Sequence, residues 1–100
     1  MKIAIASLGQ DPYEEVSPQA GRAPYYLIFE DKKLVETWKN VFSVGGGGVG
    51  PAIAKIMSDK NVEKIISSNF GEKMKDALNS KGIDFEEKTG IIKNILQKIA

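Results

Sequence analysis

Apolar positions change period several times along the chain, and each change marks an element. Lys2 to Leu8 (KIAIASL) is a continuous apolar run, β-branched at Ile3 and Ile5 and closed by Gly9. That pattern predicts a strand buried on both faces. Residues 9–24 are polar and turn-rich, with Asp11-Pro12 and Ser17-Pro18 as turn starts. Tyr25 to Glu30 predicts a second strand, and Asp31-Lys32-Lys33 is a connection of hairpin length. Leu34 to Lys39 alternates as a third strand. Tyr25, Tyr26, Phe29 and Trp38 are all assigned to the core by this pattern.

The period then turns helical. Asn40 to Gly50 is glycine-rich, and Pro51 suits a first helical position, with Ala52, Ile53, Ile56 and Met57 following at helical spacing. Lys64 to Ser68 predicts a short strand. Asn69-Phe-Gly-Glu72 has the form of a capping box, in which an N-cap side chain is followed three residues on by Glu. Phe70, Met74, Ala77 and Leu78 form the stripe of the second helix, and Gly82 is placed to end it. Asp84 to Lys88 predicts a fifth, edge strand. Ile91, Ile92, Ile95, Leu96 and Ile99 define a last amphipathic helix.

The order βββαβαβα, with hairpins first and right-handed crossovers after, predicts an α/β fold of one domain over residues 1–100. The expected architecture is ribonuclease H-like: a mixed five-stranded sheet of order 3-2-1-4-5 flanked by helices. In it, loops 9–24, 40–50, 67–71 and 88–90 gather at the carboxyl ends of the strands, where open α/β sheets bind ligands.

Composition narrows the chemistry. With 14 basic and 13 acidic residues, net charge is +1, and no overall field recruits nucleic acid or an anionic membrane. There is no cysteine and no histidine. Thiolate and imidazole ligation are therefore impossible, and the usual neutral-pH general base is missing. The apolar N-terminal run MKIAIASLG is far below signal-peptide or membrane-span length, so a cytoplasmic protein is expected.

Two features at the predicted loop edge carry candidate chemistry. Gly45, Gly46, Gly47 and Gly48, with Gly50, formally satisfy G-x-G-x-x-G, but the run follows a hairpin rather than the first strand of a βαβ unit. What remains is a glycine-rich helix start that exposes amide N–H groups to an anion, or simply a turn that needs positive φ. Arg22 is the only arginine, set among lysines in SPQAGRAPYY. Its planar fork suits a bidentate grip on an anion, or bonds to carbonyls of its own loop. Ser68 and Asn69 are helix-cap residues that can double as ligand donors. Two-metal nuclease chemistry needs carboxylates at the sheet centre, and KIAIAS contains none. Nucleophilic catalysis would rest on Ser7 or Ser17 without an identified base. A non-enzymatic protein is expected.

The KIAIAS strand, the loop VSPQAGRAPYY (Val16 to Tyr26), GGGGVGPAIAK and SSNFGEKMKDALNSKGI together resemble the dinitrogenase iron–molybdenum cofactor biosynthesis family, which includes NifX and the NifB C-terminus. The resemblance spans nearly the whole chain. It implies a carrier of an iron–sulfur or iron–molybdenum–sulfur cluster, or of a precursor, working with a cluster donor or acceptor protein as a monomer or weak dimer. The family's loop commonly reads S-x-H-F-G-R-A, which Gly21, Arg22 and Ala23 match. Gln19 stands in place of the histidine and Ala20 in place of the aromatic, and a glutamine amide is a poor ligand for iron. The binding residues implied are Gln19, Gly21, Arg22, Gly45 to Gly48, Ser68 and Asn69. The other reading is a protein-interaction domain of the same fold that binds no cluster.

Overall fold

The structure is a computed structural model that describes residues 1–44 and 48–99. Five strands form one sheet in the order β3-β2-β1-β4-β5. They are β1 (Lys2–Ser7), β2 (Tyr25–Glu30), β3 (Lys33–Lys39), β4 (Lys64–Ser67) and β5 (Asp84–Glu87). The helices are α1 (Val49–Asp59), α2 (Glu72–Ser80) and α3 (Ile92–Lys98). β1 pairs antiparallel with β2 and parallel with β4; β2 pairs antiparallel with β3, and β4 parallel with β5. β2 alone runs against the others, so β1, β3, β4 and β5 end on one edge. This is the expected mixed α/β sheet.

Central position explains the continuous apolar run of β1, which is buried from Ile3 to Ser7. Ala4, Ala6, Tyr26, Ile28 and Ile65 face one side of the sheet, under Ile53, Met57, Met74 and Leu78 of α1 and α2. Ile3, Ile5, Leu27, Phe29 and Ile66 face the other, under Ile92, Ile95 and Leu96 of α3. Each such aliphatic side chain removed from water contributes about 1.5–3 kcal/mol before entropy is subtracted. Small alanines in β1 let α1 and α2 sit close over that face.

The β2–β3 connection is a two-residue turn, Asp31 and Lys32, both with positive φ (50° and 70°). These are the backbone signs of a type I′ hairpin turn, whose twist matches the flanking strands. Lys33 therefore belongs to β3. In β3, Leu34 pairs with Phe29 and Glu36 with Ile28, which leaves Val35 as the extra residue of a bulge on an edge strand.

Three expectations need correction. Tyr26 and Phe29 are buried, but Tyr25 and Trp38 are only half-buried, because both sit near the margin of the sheet; Trp38 packs at 6.0 Å, tilted, on Tyr26. α1 begins at Val49, so Pro51 is its third residue, still within the turn whose N–H groups lack intrahelical partners. The capping box does not form: the N-cap of α2 is Gly71, with no side-chain cap. The Asn69 carbonyl accepts from the Ala20 N–H (2.9 Å) and Ser67 Oγ (3.3 Å), and the Phe70 N–H donates to Glu87 Oε2 (3.2 Å). Those bonds hold residues 69–71 outside the helix.

Candidate functional site

At the carboxyl edge of the sheet, the first turns of α1 and α2 lie side by side. The contact is set by Gly50: a Cβ built there would meet Met74 Cβ at 2.6 Å and Met74 Cα at 3.0 Å. Only a glycine lets the two backbones approach this closely. Neither helix has a side-chain cap at its N-terminus, and Gly48, the N-cap of α1, sits at φ 83° in the left-handed region that favours glycine. Two positive dipole ends with amide N–H groups lacking side-chain caps thus face one place.

The loop carrying Arg22 closes the third side. A groove of about 420 Å³ is lined by Gln19 to Arg22, Gly48 to Pro51, Asn69 and Gly71 to Met74. Its loop wall is pinned from below by buried polar groups. Asn40, 1% exposed, donates through Nδ2 to the carbonyls of Gly21 (3.2 Å) and Ala23 (2.9 Å) and accepts the Phe42 N–H through Oδ1 (3.0 Å). Tyr26, with no exposed surface, donates its hydroxyl to the Ala20 carbonyl. Burial pushes the Tyr26 phenol far up, so it remains a proton donor. Ser17 Oγ donates to the Gln19 carbonyl at 3.0 Å, and the Ser17 N–H donates to Ala6 at the end of β1 (2.8 Å). Each of these bonds satisfies a loop carbonyl or amide inside the protein, and Gln19 and Arg22 remain exposed on the rim.

The charge around the groove is mixed but net positive. Arg22 and Lys73 contribute cations, and Glu72 contributes a carboxylate 3.7 Å from Lys75 Nζ. A carboxylate in the first turn of α2 is itself favourable for the helix dipole, and it lies beside the site where an anion would bind.

Five of the sequence-predicted site residues meet here: Gln19, Gly21, Arg22, Gly48 and Asn69. Gly45, Gly46 and Gly47 lie outside the described residues. Ser68 lies apart. It lines a separate depression with Lys88, Thr89 and Lys98, and its hydroxyl donates to the Lys88 carbonyl at 3.2 Å. Asn69, one residue on, faces the groove instead. Pattern reading put Gly50 in the glycine fingerprint but not among the binding residues, and it missed Lys73 and the buried anchors Asn40 and Tyr26. A glycine at the second position of a helix, next to a proline, was the available signal for the first; the buried anchors have no local signal.

Among the described residues, no group of three carboxylates, histidines or cysteines is placed to hold a metal ion, and no helix is long and apolar enough to cross a membrane.

The family model described as dinitrogenase iron-molybdenum cofactor matches residues 1–100. The chain belongs to that family. Among solved structures, the apo form of the orange protein from Desulfovibrio gigas superposes with a TM-score of 0.88 at 21% identity, covering 97% of this chain and 84% of that one. A Thermotoga protein of the DUF35 family with a provisional NifB label gives 0.79 at 26% identity, covering 96% and 84%. No curated protein sequence matches the chain significantly. In this member of the family, the groove is built from the Gln19–Arg22 loop and from the helix starts that follow the glycine run and β4.

Proposed function

We propose that this domain is a carrier that holds an anionic metal–sulfur cluster, or a precursor of one, as cargo in the groove between α1 and α2. The observation that carries the reading is the convergence of two helix N-termini without side-chain caps and the Arg22 loop on one groove, in a chain of the cofactor family. The donor set does not fit direct ligation of iron, since the chain has neither cysteine nor histidine and Gln19 offers an amide. It does fit outer-sphere holding. Backbone N–H groups and the guanidinium donate to sulfide, oxo or carboxylate groups of the cargo, and the Gln19 and Asn69 amides add neutral donors. Such holding is exchangeable, as a carrier between a cluster donor and an acceptor protein requires. The strand order, with β2 alone reversed, supports the ribonuclease H-like grouping.

The lack of a strong ligand at Gln19 favours one alternative, a protein-interaction domain that has kept the fold without the cargo. Anaerobic equilibrium dialysis against tetrathiomolybdate, with molybdenum quantified on both sides, separates the two. The carrier reading predicts saturable uptake that Arg22→Ala weakens about tenfold, the usual weight of one charge-assisted contact. Uptake no greater than that of a buffer blank would leave the interaction reading standing.

A further inference from the structure

A second surface lies on the opposite face of the sheet, and the groove above does not explain it. An open slot of about 460 Å³ runs between α3 and the β2–β3 hairpin. Its apolar lining is Phe29, Leu34 and Leu96, with Tyr13 as a wall. Tyr13 is 69% exposed and Leu34 42%, large apolar side chains left open to solvent on this face. Among the described residues, α3 is the one helix packed on this side, and it covers the sheet centre rather than β3.

The charges of the slot are all of one sign. Among the described residues, Lys32 and Lys93 line it and no carboxylate does. Several lysines elsewhere are held by carboxylates: Lys55, Lys60, Lys64, Lys75 and Lys88 each form an ion pair. Lys93 instead lies 4.7 Å from the Tyr13 ring centroid and donates to the Tyr13 hydroxyl at 3.1 Å, which props the aromatic wall and leaves the charge unneutralised. Lys32 occupies the second turn position at φ 70°, where glycine is the easier residue, and so brings a cation to the slot's end.

We infer that this slot docks an acidic peptide segment of a partner protein, with one aliphatic or aromatic side chain seated on Phe29, Leu34 and Leu96 and flanking carboxylates on Lys32 and Lys93. The adjoining β3 is a sheet edge, so its outward N–H and C=O groups can pair with an extended segment while alternate side chains enter the slot. The slot lies on the α3 face of the sheet, with Phe29 and Leu96, whereas the Arg22 groove lies on the α1–α2 face, with Ala20 and Met74. A docked partner therefore leaves the groove open. The two sites share no residue, and either reading can fail without the other.

A random peptide library displayed on phage, selected on the intact domain, tests this directly. The enriched sequences should carry Asp or Glu around an apolar anchor. A synthetic copy of the leading sequence should lose affinity about fivefold or more with each of Lys32→Glu and Lys93→Glu, and as salt rises from ~50 to ~300 mM. Leu34→Glu should abolish binding, and circular dichroism on all three variants confirms that the fold is kept. Neutral or basic winners, or affinities indifferent to the three substitutions, would overturn the proposal. So would dodecanoate binding at these residues when no peptide is enriched, or self-association of the domain that Lys32→Glu removes.

Discussion

Replacing Gly50 with alanine sets two effects of opposite sign against each other. Alanine is the better helix former, worth up to about 1 kcal/mol in a helix interior and less in a first turn. Against this, the new methyl would sit 2.6 Å from Met74 Cβ and 3.0 Å from Met74 Cα. These are not the ends of a flexible side chain, so α1 and α2 must move apart. Overpacking of this kind costs about 1–3 kcal/mol. The clash wins, leaving a net destabilisation of about 1–2 kcal/mol. For a domain of this length each kcal/mol lowers Tm by roughly 4–8 °C, so thermal unfolding followed by circular dichroism should show a drop of about 5–15 °C. Gly21→Ala is the internal control: its Cβ would meet only Val49 Cγ2, at 2.9 Å, and that methyl can turn away. Its cost should stay below about 1 kcal/mol. A Gly50→Ala protein as stable as the parent, or less affected than Gly21→Ala, would refute the claim that this glycine sets the spacing of the two helix starts.

Asn40→Ala removes three hydrogen bonds from a buried site. It should cost about 2–3 kcal/mol in urea unfolding and weaken cargo binding through the loosened Arg22 loop. Tyr26→Phe should cost about 1–2 kcal/mol. Because burial raises the Tyr26 pKa, its contribution is fully present below the ordinary phenol pKa and declines as pH rises above it. Alkaline stability curves of the parent should therefore fall more steeply than those of Tyr26→Phe. Glu86 works in the other direction: hydrogen bonds from Lys64 and Lys88 lower its pKa, so its contribution is present at neutral pH and lost as pH falls through the carboxylate range. It is partly exposed, and Glu86→Gln should flatten the acid limb only slightly.

The elements were legible where period and length agree. KIAIAS reads as a buried central strand because β1 is covered on both faces, and the Ile53–Met57 and Met74–Leu78 stripes read as helices because they pack on one sheet face. Boundaries failed where long-range bonds override local chemistry. Asn69 looks like a cap, yet the distant Ala20 N–H takes its carbonyl and Glu87 takes the N–H of Phe70 after it. The site was half legible. Gly21 and Arg22 stand out by type, and Gly48 by the glycine run, but the separation of Ser68 from Asn69 depends on where β4 ends. The anchoring roles of Asn40 and Tyr26 appear only once the chain is folded over them.

An amide NMR titration of the isotope-labelled domain with tetrathiomolybdate under anaerobic conditions tests the carrier claim most directly. The account predicts saturable shifts confined to Gly21, Arg22, Gly48 to Gly50 and Gly71 to Met74, and their loss in Arg22→Ala. Shifts centred on Ser68, Thr89 and Lys98, or a spectrum that does not change, would contradict it.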